Sequence, residues 1–243
     1  IFADLDSLRP LPYEKLKRPI PKNTPKERTR LALALGGLIA DGFLVVESEK
    51  LLDLEDIGRA LWDHAQILGA GTKLSSHTKS LLEHSALGQW DDLKTELAKT
   101  QKDIEKEMVL LRDVDVAHLI SLGGWLRALE IGCAASLEPY KGEKAKVLGR
   151  HDVADYFYQS MLTLDIPIRQ QPHIQELTAG LAEIRDMLDV PEEKVFTEEE
   201  VRVMKKKVSE LVAITDPSRK PKASPAPVAN ADEGNPAEVG SAE

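Results

Sequence analysis

The stretch LALALGGLIADGFLVV, Leu31 to Val46, is apolar throughout except for Asp41 and its glycines, and how it is read decides the fold. Its sixteen residues fall short of the roughly 20 that an apolar helix needs to cross a bilayer. A second segment of the same character, LISLGGWLRALEIGCAASL, occupies 119–137. Two such segments, one carrying Asp41 and the other Arg127 and Glu130, read as a pair of core helices, despite the basic Lys26, Arg28 and Arg30 ahead of the first. No transmembrane segment is expected.

Working outward, the surrounding periodicity is helical. Thr24, Pro25 and Glu27 form a capping-box pattern with proline at the first helical position, opening a helix that should run to about Lys50. Asp53 can cap a second, whose Leu54, Ile57, Leu61, Ala65 and Leu68 recur at three and four until Gly69 and Gly71 stop it. A third is expected over about 72–87, a fourth, strongly amphipathic, over 89–112, and a fifth over 115–138, ending at Pro139. Shorter helices follow near 153–164 and 172–188, and Thr197 with Glu200 opens an eighth, to about Ile214. Asp115 and Asp152 read as N-caps. Alternating strand patterns are absent, and the fold class is all-α: a bundle of about eight helices in one domain, with antiparallel-type layers around the two apolar helices.

Prolines divide the chain. Of 14, five lie at or before position 25 and five at or after 217; the others, Pro139, Pro167, Pro172 and Pro191, fall where helices should begin or end. The expected organisation is an extended proline-punctuated segment over 1–24, a bundle over 25–215, and a Pro/Ala/Glu-rich tail over 216–243 with too little to bury to become ordered. An opening at Ile1 followed by that segment is what a removed leader leaves behind, so export to the periplasm or medium is expected.

The two apolar helices share a pattern, Leu35-Gly36-Gly37-Leu38 and Leu122-Gly123-Gly124-Trp125. Paired glycines cost about 1 kcal/mol each inside a helix. A close crossing of the two helices would offset that cost; the competing reading is a kink in each. Asp41, Arg127 and Glu130 lie within one or two turns of the glycines, so a crossing there demands that they pair, with Gln101 and Asp103 of the fourth helix joining the network. The preferred reading is a structural cluster that fixes helix register. The alternative is a ligand site, with Trp125 as its apolar wall, Arg127 binding an anionic group, and Asp41, Glu130 and Gln101 completing it.

Other chemistry is weakly signalled. The charge of −9 argues against nucleic acid as a partner. Lys205, Lys206 and Lys207 form a basic run, read as a solvated helix face. Cys133 is the single cysteine and reads as a small core residue. Asp115/His118 and His151/Asp155 have metal-ligand spacing, but neither pair is specific, and no metal or cofactor is expected. The sequence carries neither a nucleophile elbow nor a phosphate-binding loop. Tyr156, Phe157 and Tyr158 cannot share a helix face, so at least one ring is exposed or covered by the N-terminal segment.

LGGLIADG (35–42), QKDI (101–104) and SLGGWLRA (121–128), with the proline-rich start, resemble a set of exported bacterial all-helical proteins to which no activity is assigned. The resemblance spans about 25–215 and implies export and a helical bundle. The expected function is therefore a non-enzymatic interaction or scaffold protein of the cell envelope with a protein partner. The alternative is a binding module for a small anionic or amphipathic ligand between the helices at 25–50 and 115–138. An enzyme using a buried carboxylate, Asp41 or Glu130, comes third.

Overall fold

The structure, a computed structural model, describes residues 7–20, 24–191 and 193–216, with the side chains of 51, 72–76, 78 and 82 left aside. The expected tail lies, apart from Asp216, outside the described residues, as do the first six residues of the N-terminal segment.

The chain is 77% helical, and the described residues contain no strand. A short helix α1 (Tyr13–Leu16) sits in the N-terminal segment, followed by α2 (Arg28–Glu47), α3 (Leu51–Leu68), α4 (Gly71–Ala86), α5 (Trp90–Leu110) and α6 (Val114–Ser136). After a one-turn helix α7 (Gly142–Ala145) come α8 (His151–Thr163), the short α9 (Ile166–Arg169), α10 (Pro172–Leu188) and α11 (Glu198–Thr215). The eight longer helices correspond to the eight expected from periodicity.

Local chemistry explains some of their ends. Gly69 closes α3 in the left-handed conformation, φ +96°. Thr197 and Glu200 form the reciprocal capping box at the start of α11. Pro172 occupies the first turn of α10. Four expected caps are not made. Glu27, not Thr24, precedes α2, and its carboxylate accepts from Arg30 instead. Asp53 lies inside α3 and binds the N-terminal segment, while Asp113 rather than Asp115 caps α6, accepting from the Val116 N–H. Asp152 likewise lies within α8 and pairs with Arg150.

Helices α2 and α6 form the centre, nearly every residue of both being buried. They run parallel, not antiparallel. Arg28 meets Asp113 at their N-termini, Gly36 meets Gly124 midway, and Asp41 meets Arg127 further along. Three helices reverse direction between them, so the fifth long helix points the same way as the first. The glycines are at a crossing, not a kink: a Cβ at Gly36 would stand 1.9 Å from the Ile120 carbonyl oxygen, and one at Gly123 would stand 2.1 Å from that of Leu33. Helices α3 and α5 pack on α2, and α4 lies outside them, while α8, α10 and α11 form the second layer. Helix α2 is long and apolar enough to cross a membrane, with mean hydropathy 1.7, yet 94% of that window is buried inside the bundle.

Residues 7–20 cross the bundle as a strap tied down by ions. Arg9 binds the buried carboxylate of Glu47, which also accepts from Lys94 at 2.9 Å, and Lys15 pairs with Glu138 at 2.6 Å. Tyr13 and Lys17 both donate to Asp53.

Candidate functional site

The close approach at Gly36 and Gly124 brings Asp41 of α2 beside Arg127 of α6, whose side chain is 2% exposed. The planar guanidinium divides its three nitrogens among three partners: Nε donates to Asp41 Oδ1 at 2.7 Å, Nη1 to Glu130 Oε2 at 2.5 Å, and Nη2 to the carbonyl of Leu16 in the strap. The second oxygen of Asp41 accepts from Arg18, and the second oxygen of Glu130 from Ser209 Oγ at 2.7 Å. A hydrogen-bonded relay thus runs from Arg18 through Asp41, Arg127 and Glu130 to Ser209, joining the strap, α2, α6 and α11. Burial opposes the Arg127 charge, but Asp41 and Glu130 outweigh it and hold the guanidinium protonated. Chemically the arrangement is a clamp. Its charges neutralise one another where hydration is lost, as a buried ion network must.

The other expected site residues lie elsewhere. Trp125 stands two residues, about 200° of helix rotation, from Arg127, and it packs on Phe157 of α8 with ring centroids 5.2 Å apart. It is core on the far side of α6, not a wall beside the guanidinium. Gln101 donates to Glu105 of its own helix at 3.0 Å, and Glu105 in turn accepts from Ser121. Asp103 faces His77. Neither Gln101 nor Asp103 reaches the relay, because α5 meets α6 through Glu105 and Ser121 rather than at the level of Arg127. Arg18, the Leu16 carbonyl and Ser209 are members that the sequence did not announce.

Histidines are spread over the fold. His77 bridges two carboxylates of α5, Glu96 at 2.7 Å and Asp103 at 3.2 Å. His64 donates from Nδ1 to the Ala60 carbonyl at 2.8 Å, and burial lowers its pKa. His118 contacts Tyr156, and among the described residues no group of three or more His, Cys, Asp or Glu is placed to hold a metal ion. Burial pushes the Cys133 thiol up to about 12, so it stays protonated. Of the aromatic trio, Phe157 is core, Tyr158 lies under the Arg185 guanidinium, and Tyr156 is half exposed.

His173 carries a pH prediction. Thr29 donates its one hydroxyl proton to Gln171, so the His173 Nε2, 3.1 Å from that hydroxyl, is the donor of a neutral ring. Burial first, then Arg30, lowers its pKa from 6.5 to about 4. The folded state therefore binds fewer protons than the unfolded chain between these values, so stability is intact above pH 6.5 and falls as the pH drops toward 4. Urea unfolding of a His173→Gln variant is expected to show a shallower loss over that interval than the parent, by on the order of 2 kcal/mol at pH 4. Parallel pH profiles in the two proteins would exclude the assignment.

One end of the bundle is apolar and open to solvent. Val109, Leu110 and Leu111, where α5 ends, are 53, 74 and 50% exposed, and Val114 at the start of α6 is 46% exposed. Ile67, 56% exposed, adjoins them, since Leu111 reaches the Gly69 turn that closes α3.

Fold and site together define an all-α bundle locked by a buried ionic relay. Compared with protein-family models, curated proteins and solved structures, the chain matches none of them.

Proposed function

We propose that the chain is a non-enzymatic helical interaction protein of the bacterial cell envelope, and that it meets a protein partner through the apolar end formed by Ile67, Val109, Leu110, Leu111 and Val114. The exposure of these five side chains supports the reading. Isolated exposed apolar residues are ordinary, but a contiguous group marks a contact surface. The closed state of the relay points the same way, because its charges are spent on holding the chain together. The export component rests on the resemblance carried by 35–42, 101–104 and 121–128 with the proline-rich start.

The test is a photo-crosslinking residue at position 110 in the native host, with Leu110→Lys as the disrupting variant. One reproducible adduct to a single protein is expected. In co-purification, Leu110→Lys should weaken that complex by at least about tenfold, about 1.4 kcal/mol, while leaving the melting temperature unchanged. A surface change that destabilises the monomer, or an adduct pattern unaltered by the substitution, refutes the reading. Fractionation of the same cells tests the location, and recovery in the cytosol alone removes the envelope component.

A further inference from the structure

Away from that apolar end, at the N-terminal half of α3, the strap roofs a cavity of 570 Å³, a size typical of small-molecule sites. Its walls are apolar, with Leu38, Leu44 and Val45 from α2 and Ile57 from α3, all buried side chains. Its polar lining is acidic on balance: Asp41, Asp53, Asp56 and Asp216 stand against Lys17 and Arg18. Both cations are already committed, Lys17 to Asp53 at 2.7 Å and Arg18 to Asp41. Asp56 is exposed at the edge and makes no hydrogen bond among the described residues; Lys17 acts on it only through space, which leaves it the lining carboxylate open to a cationic ligand.

The strap itself displays what this niche accepts. The Lys17 ammonium sits on Asp53 and 5.8 Å from the centroid of the Tyr13 ring, and the Lys50 ammonium stands at the same distance from that ring. Carboxylates around an aromatic face form the usual environment for alkylammonium groups. We propose that the cavity binds a small amphiphilic amine, its ammonium group held by Asp56 beside Tyr13 and its hydrocarbon part lying along Leu38, Leu44, Val45 and Ile57. This site is separate from the protein-contact end and stands or falls independently of it.

Titration calorimetry of the full chain with n-octylammonium, sodium octanoate and 1-octanol tests the proposal. The expected result is saturable one-site binding of octylammonium and much weaker binding of the other two. Asp56→Asn, a change at an exposed position that leaves the core intact, is expected to weaken octylammonium about tenfold, the loss of one charge-assisted contact. Three outcomes overturn it: octanoate binding as tightly as octylammonium, octylammonium affinity unaffected by Asp56→Asn, or no octylammonium binding up to millimolar concentration. Replacing Arg219, Lys220 and Lys222, the cations that follow Asp216 in the sequence, by Gln controls for competition from the chain itself. Unchanged affinity in that variant supports the site, and binding seen only in that variant overturns it in favour of an internal occupant.

Discussion

Arg127→Leu is expected to lower the stability of the protein by about 3–5 kcal/mol, the usual cost of removing one partner from a buried ion network. Leucine fills part of the space, but it leaves Glu130 without a cation and Asp41 with Arg18 alone, and it orphans the Leu16 carbonyl. Since 1 kcal/mol shifts the melting temperature of a chain this size by about 2–4 °C, a fall of roughly 10 °C is expected. Arg127→Lys should fall in between, because a single ammonium cannot address three acceptors lying in the plane of a guanidinium fork. The strap supplies a second readout. With its anchor to Leu16 gone, tryptic cleavage after Lys15 and Lys17 should accelerate in Arg127→Leu under conditions where the bundle remains folded. A double-mutant cycle with Asp41→Asn should show strong coupling between the two positions, and additive effects would mean that the pair does not act as a unit. An unchanged unfolding midpoint in Arg127→Leu would dismiss the clamp altogether.

How far the sequence foretold this clamp depends on the periodicity of each partner. Asp41, Arg127 and Glu130 were legible because glycine pairs in two apolar helices mark a crossing, and charges within a turn or two of a crossing have to pair. Arg18 and Leu16 were not, because an extended proline-bearing segment has no helical face from which to read what it touches. Ser209 was hidden for another reason: it lies on a polar stretch of α11 and its role depends on how two sequence-distant helices dock. Trp125 was misplaced by proximity in sequence, since two residues along a helix are nearly opposite in space. The parallel course of α2 and α6 was available in principle, because counting three intervening helices gives the direction, whereas the resemblance of the two segments does not. The cap positions show local chemistry yielding to tertiary contacts: Asp53 can cap a helix, but Tyr13 and Lys17 claim it from the strap. The cavity beneath that strap was invisible for the same reason, because Tyr13, Lys17 and Arg18 of its lining belong to a segment without periodicity.

The glycine crossing gives the second large effect. Gly36→Ala places a methyl 1.9 Å from the Ile120 carbonyl oxygen and 2.6 Å from the Gly124 nitrogen, and Gly123→Ala places one 2.1 Å from the Leu33 carbonyl oxygen. These obstacles are backbone atoms of the two central helices, so no rotamer change relieves them; the helices have to move apart along a face where nearly every side chain is buried. Overpacking of an ordinary core costs about 1–3 kcal/mol, and displacement of two central helices is expected to reach at least about 3 kcal/mol for either substitution, despite the gain of about 1 kcal/mol that alanine brings to a helix interior. The movement should also pull Asp41 away from Arg127 one turn further on, so Gly36→Ala is expected to couple to Arg127→Leu: once the clamp is broken, part of the cost of separating the helices has already been incurred, and the double variant should be less destabilised than the sum of the two. Gly58, inside α3, is the internal control, because a methyl added there would meet nothing within 4 Å. There the propensity gain acts alone, and Gly58→Ala should stabilise the protein by up to about 1 kcal/mol. Urea midpoints for the three alanine variants decide the matter: losses at 36 and 123 with a gain at 58 place the contact at the crossing, whereas gains at all three positions would mean that α2 and α6 do not approach so closely.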